Sequence, residues 1–339
     1  VLTIVLGIES KQRKGSLLTR LCVLALRALV VAAWIWACGA LGHVTGIPWT
    51  IVGIFFVLVP LAWTRGGSLR KSAVFCVSLA MPLALLSYSF TKPRADLQWQ
   101  MHCARAPVVR VLGEGEQVKI DNVRQFKWSG GGEFEPSWSS ETYYMDQLNE
   151  LDLVVEPFSG SKYFAHTMLS FGFGPERRVV ISIEVRKEKD EPYGIIAGFY
   201  RQFELFYQVN SEQDALTLRA TQPDSSLYVF PVKASPDFIR KLFLEMVREA
   251  GRLNEEPEFY HSLRSNCTTK LFDHVNMEID TPLGYRREVL LPAQAGKLLH
   301  ELGWMDTALG YQEAKQRFRL ADKVRKFAGA ADFSIKIRQ

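Results

Sequence analysis

"YFAHTMLSFGFGPERRVVISIEVR", residues 163–186, decides how the rest of this chain is read. Two runs rich in β-branched and aromatic residues flank Gly172, Gly174 and Pro175, the residue types of a tight turn. A turn centred near Pro175 makes residues whose numbers sum to about 350 face each other, which sets His166 opposite Glu184. Alternation puts Ser182, Glu184 and Arg186 on one face of the second strand and Ile181, Ile183 and Val185 on the other. A slip of one residue would turn Glu184 to the wrong face. A histidine among apolar strand residues is either a satisfied core side chain or a base. A carboxylate beside it can fix its tautomer and stabilise its cation, the third role in a triad.

Further along lies "RSNCTTKLFDHV", Arg264 to Val275. Asn266 is a good N-cap, and Leu271, Phe272 and Val275 share one face of the helix that follows. Cys267 then falls in the first turn, where unpaired N–H groups and the helix dipole stabilise a thiolate. That is the place for a nucleophile, and also a place where an inert buried cysteine can fall. Of the six histidines, His274 is seven residues on along the same helix, about 10 Å away, too far for a direct bond. His43 falls in a membrane loop and His102 in the arm, whereas His166 sits inside a strand among apolar neighbours and is the candidate base. Outside the apolar runs only Cys103 and Cys267 remain, and in an oxidising compartment they could instead pair as a disulfide.

The 339 residues suffice for more than one folding unit, and a net charge of +5 is no sign of nucleic-acid binding. Three apolar runs come first: Ala28 to Leu41, extended back to Leu21 with Arg20 and Arg27 inside it, then Ile47 to Trp63, then Ala73 to Phe90. They read as three membrane-spanning helices. Lys11, Arg13 and Lys14 precede the first run, the 42–46 loop has no Lys or Arg, and Arg65, Arg70 and Lys71 follow the second. The positive-inside rule then puts the N-terminus in the cytoplasm and everything after about Thr91 outside. The expected plan is an anchor over 1–92, a polar and aromatic arm over 93–140 with Trp99, Trp128 and Trp138, and an outer α+β domain over 141–339. In that domain "LDLVVEPF", "YFAHTMLSF", "RVVISIEVR", "FELFYQV", "LTLRA" and "LYVFPV" read as strands. Helices follow, the first capped by Ser235 with Pro236 at its first position. The last part is helical and basic, either resting on headgroups or simply solvated. No internal repeat and no metal-type Cys/His spacing is present in the sequence, and no cofactor is expected.

"YFAHTMLSFGFG", "ISIEVRKEK", "GFYRQFELFYQV", "PEFYHSLRSNCTT" and "ADFSIKIRQ" occur in the order of the Lnb N-terminal periplasmic domain family, which the chain resembles from about Asp121 to Arg338. One departure is Glu212, Gln213 and Asp214, where members often have "ERD". The resemblance implies lipoprotein N-acylation by acyl transfer through a cysteine. It makes Cys267 the nucleophile, His166 the base and Glu184 the orienting residue, and it allows Asn266 to be only a cap. The order of His on a strand and Cys at a helix start is similar to circularly permuted papain-like, NlpC-type enzymes. The implied partners are the membrane and a phospholipid or diacylglyceryl-lipoprotein substrate. The implied location is the bacterial inner membrane, multi-pass, with the catalytic domain periplasmic. Two alternatives stay open: a cysteine peptidase or amidase of the cell envelope with water as acceptor, and a non-catalytic envelope binding module.

Overall fold

The computed structural model describes residues 17–44, 47–65, 67–130, 132–221, 225–279, 282–284 and 291–339. It divides into two compact units: residues 1–92 with Tyr200–Gln202, and Pro93–Phe199 with Phe203–Gln339. Lys11, Arg13 and Lys14, on which the orientation rests in part, lie outside the described residues.

The first unit contains α1 (Leu17–Val44), α2 (Trp49–Arg65) and α3 (Gly67–Phe90). They pack around Trp34, Cys38, Val52 and Val59, and leave Leu24, Leu29, Phe56, Phe75 and Leu86 exposed. Three spanning helices were expected here, and that expectation is corrected: among the described residues, no helix is long and apolar enough to cross a membrane. The reasons are physical. The 17 residues of α2 rise about 26 Å, short of a hydrocarbon core of about 30 Å. Arg20 and Arg27 fall within the first half of α1. In α3, Arg70 and Lys71 sit near the start, and Pro82 and several serines interrupt the apolar run.

The second unit is built on an eight-stranded sheet. Its strands are β1 (Val108–Leu112), β2 (Gln117–Arg124), β5 (Trp138–Tyr144), β6 (Glu150–Pro157), β7 (Ala165–Gly172), β8 (Arg178–Arg186), β9 (Glu204–Ser211) and β10 (Tyr228–Pro231). A two-stranded ribbon, β3 (Lys127–Gly130) and β4 (Glu133–Glu135), stands apart. The order is β1-β2-β9-β8-β7-β6-β10, with β5 on β2. The stretch read as an arm thus supplies β1, β2 and β5 to the same sheet. Trp128 and Trp138 are part of that folded stretch, with Trp128 Nε1 donating to Asp214 at 2.8 Å and Trp138 edge-on to Phe126.

Alternation sorts the sheet into two faces. One carries Leu151, Leu153, Leu169, Phe171, Ile181 and Tyr207 against Leu242, Phe243 and Met246 of α5 (Pro236–Glu255) and Leu271 of α6 (Cys267–Met277). The other carries Val154, Met168 and Val180. It packs on Leu216 of α4 (Glu212–Ala220), α9 (Ala321–Phe327) and α10 (Phe333–Lys336), while α7 (Ala295–Glu301) and Ala314 of α8 (Tyr311–Arg317) join the first face. Helices therefore cover both faces. "LTLRA", expected to be a strand, is the body of α4: the Ser211 hydroxyl accepts from the Asp214 N–H and caps a helix there. Its first-turn acids are buried and paired, Asp214 with Arg124 at 2.8 Å and Glu212 with Arg338 at 2.5 Å.

Candidate active site

The hairpin has the expected register. Met168 faces Ser182, Ser170 faces Val180 and Gly172 faces Arg178, joined through Gly174 at φ +87°. His166 and Glu184 thus come from neighbouring strands on one face, with His166 Nε2 3.1 Å from Glu184 Oε1. Ser182 sits between them, its hydroxyl 2.6 Å from His166 Nε2 and donating to Glu184 Oε1 at 2.7 Å.

Cys267 is the first residue of α6. Asn266 Oδ1 accepts the N–H groups of Thr268 and Thr269, both at 2.9 Å, and Thr269 Oγ1 accepts the Asn266 N–H at 2.9 Å. This reciprocal cap holds the turn that carries the sulfur. Cys267 Sγ lies 3.7 Å from the Thr268 hydroxyl, and His166 and Thr167 are near enough to act on the thiol. His166 Nε2 is occupied by Ser182 and Glu184.

The electrostatics follow from this packing. Burial pushes the Cys267 thiol up, but the His166 cation and its hydrogen bond outweigh it, and the thiol settles at about 7. Burial likewise opposes a charge on His166, yet Glu184 and then Cys267 overcome this and raise the imidazole to about 10. Glu184 is held well below the usual carboxylate range, burial being outweighed by His166 and Arg219. The favoured state near neutral pH is a thiolate–imidazolium pair backed by a carboxylate.

Sequence reasoning did not find Arg219, Ser182, Glu156 or Tyr260. Arg219, from α4, reaches Glu184 at 2.6 Å and Glu156 at 3.3 Å, and so holds the carboxylate behind the histidine. The pairing of Glu156 with His166 across β6 and β7 places a second acid there. The Tyr260 phenol is coupled to Cys267 and hydrogen-bonded to Tyr193; burial, then the Cys267 charge, push it upward and keep it protonated. The one available signal was alternation, which places Ser182 and Glu184 on the face of His166. Arg219 could not be foreseen, because its helix was read as a strand.

These groups line a cavity of about 650 Å³ whose walls are mostly apolar, with Phe158, Phe164, Tyr193, Ile195 and Leu263 near its opening. Cys103 lines it as well, and both cysteines are free thiols, so the disulfide alternative is not the state seen. The Cys103 thiol donates to the Gln100 carbonyl at 3.4 Å. His274 is elsewhere, buried and bonded to the Tyr207 hydroxyl at 2.7 Å. Among the described residues no group of three or more His, Cys, Asp or Glu side chains is arranged to hold a metal ion.

The second unit is thus a mixed α+β domain that brings Cys267, His166 and Glu184 together in the wall of a mostly apolar cavity. Residues 134–300 match the family described as the Lnb N-terminal periplasmic domain. All three expected site residues fall inside the matched stretch, and the match makes this an envelope-associated protein with a periplasmic domain. No curated protein and no solved structure matches the chain.

Proposed function

We propose that this domain is a thiol acyltransferase that takes a fatty acyl chain from a lipid ester and passes it to an amine, in the manner of lipoprotein N-acylation. The Cys267 thiolate attacks the ester carbonyl, and an S–C bond forms. The ester C–O bond then breaks, and the leaving alkoxide takes the proton of the His166 imidazolium. In the second half an amine attacks the thioester, neutral His166 accepts its proton, and the S–C bond breaks to restore the thiol pair. Ser182, Glu184 and Arg219 hold the imidazole in one orientation throughout. The N–H groups of Thr268 and Thr269 are committed to Asn266, so the oxyanion is left to the Cys267 N–H and the protonated Tyr260 phenol.

The observation that carries this reading is the apolar lining of the cavity around Cys267. The same triad would serve a cysteine peptidase or amidase, with water in place of the amine, but a peptide backbone needs a polar groove to satisfy its N–H and C=O groups. A purely binding module has no use for a thiolate tuned to about 7 in a buried site. The test is to supply a phospholipid donor and an amine acceptor and to follow both the acylated acceptor and the lysolipid. Equal yields of both support transfer; lysolipid and free acid alone would mean hydrolysis.

A further inference from the structure

Three loops far apart in sequence, residues 158–164, 193–199 and 261–266, border the Cys267 cavity together with Trp128, Phe134 and Lys187. Large apolar side chains stand out from all three. Tyr163 is 58 % exposed, Phe164 51 %, Ile196 68 % and Leu263 54 %, although polar residues would cost nothing at such positions. Looseness does not explain this, because the loops are fastened through their backbones. Ser262 Oγ donates to the Ile195 carbonyl at 2.6 Å and the Ser262 N–H to the Gly198 carbonyl at 3.3 Å. Gly198 permits this approach, since a Cβ there would meet Ser262 Oγ. On the other side, Gln294 Nε2 donates to the Lys162 carbonyl at 2.8 Å and the Ala293 N–H to that of Tyr163 at 3.3 Å. The main chain is fixed and the apolar side chains are held outward.

Within these three segments the charged side chains are cations, while the stretch leading into the second, residues 187–192, carries both signs. Lys162 and Arg264 are both exposed, and no Asp or Glu occurs in any of the three segments. Aromatic and aliphatic side chains flanked by cations match an anionic phospholipid surface, where rings and aliphatic tips enter the acyl boundary and Lys or Arg stay with the phosphates.

We propose that this rim is an interfacial docking surface for an anionic phospholipid leaflet, seating the cavity mouth on the bilayer so that an acyl chain passes from leaflet to cavity without crossing water. The inference rests on the acyltransferase reading for its purpose, and the quenching arm of its test is independent of that reading. Tyr163 and Ile196 belong to the rim and are outside the cavity walls. The full chain is prepared as wild type, as Ile196→Trp, and as the double variant Tyr163→Asp with Ile196→Asp. Vesicles of phosphatidylethanolamine and phosphatidylglycerol carry acyl chains brominated near the carbonyl. The added emission of Ile196→Trp, taken as the difference from wild type, should be quenched by the brominated lipid. In the double variant, acylation of Cys267 from vesicle lipid should fall about ten- to hundredfold while acylation from a soluble short-chain ester stays within about twofold. Unquenched emission at position 196, or equal loss on both donors, overturns the docking surface; so does a rim that instead dimerises the chain, seen as a monomer on gel filtration only for the double variant. Quenching without any adduct on Cys267 keeps the surface and removes the acyltransferase reading.

Discussion

His166 Nε2 lies 3.1 Å from Glu184 Oε1 because the hairpin between them turns on Gly174 with the register that pairs Met168 with Ser182. The pair sets the charge of the whole site: with Glu184 ionised, His166 is a cation, and with His166 a cation, Cys267 is a thiolate.

This coupling predicts a pH profile. The ion pair forms as Cys267 loses its proton near 7 and is lost as His166 loses its own near 10. Acylation should therefore rise through about pH 7 and fall above about 10, while alkylation of Cys267 by iodoacetamide should show the lower limb. In His166→Ala the largest influence that lowers the thiol is gone, leaving burial opposed only by Thr167 and Thr268, so its alkylation midpoint should move up from about 7. An unmoved midpoint would show that the histidine does not tune the sulfur.

Cys267→Ala and His166→Ala should each lower turnover by about ten-thousandfold or more, with circular dichroism unchanged. Glu184→Gln should cost about a hundred- to ten-thousandfold, since the imidazole loses both its charge partner and its fixed tautomer. Ser182→Ala removes one hydrogen bond and leaves the carboxylate in place, for a loss of about tenfold. A Glu184→Gln enzyme as active as Ser182→Ala would demote the carboxylate.

Cys103→Ala should leave turnover within about twofold, because the thiol is a free, buried side chain bonded only to main-chain carbonyls, Gln100 and Lys187. A collapse of folding on this change, with recovery in oxidised wild type only, would restore the disulfide reading.

Arg338 closes the C-terminal end of the domain through Glu212 at 2.5 Å and Asp152 at 2.7 Å, both carboxylates buried. Arg338→Ala leaves Asp152 with Arg178 and Glu212 with the Ser170 hydroxyl, and should destabilise the domain by about 3 kcal/mol in urea unfolding. Asn266→Ala should cost about 1 kcal/mol, through the two helix N–H groups it leaves open. A neutral Arg338→Ala would mean that water reaches the two acids.

Much of this site was legible because it rests on local rules. Gly172, Gly174 and Pro175 mark the turn, alternation then puts Ser182 and Glu184 on the face of His166, and Asn266 announces the helix that begins at Cys267. Non-local pairing hid the rest. Glu212 and Asp214 are buried against Arg338 and Arg124, partners distant in sequence that no local pattern announces. With that helix taken for a strand, Arg219 had no path to Glu184. The first ninety residues misled in another way: apolar composition signalled spanning helices, whereas the helices formed are too short or too interrupted by Arg, Lys, Ser and Pro.

The central claim is that Cys267 carries the acyl chain, and it is tested most directly by mass spectrometry of the protein after mixing with phospholipid in the absence of an amine. The predicted result is one fatty acyl adduct on the peptide containing Cys267, released by hydroxylamine and missing from Cys267→Ala. Turnover of a peptide amide with no acyl adduct on Cys267, whatever lipid is supplied, would contradict it.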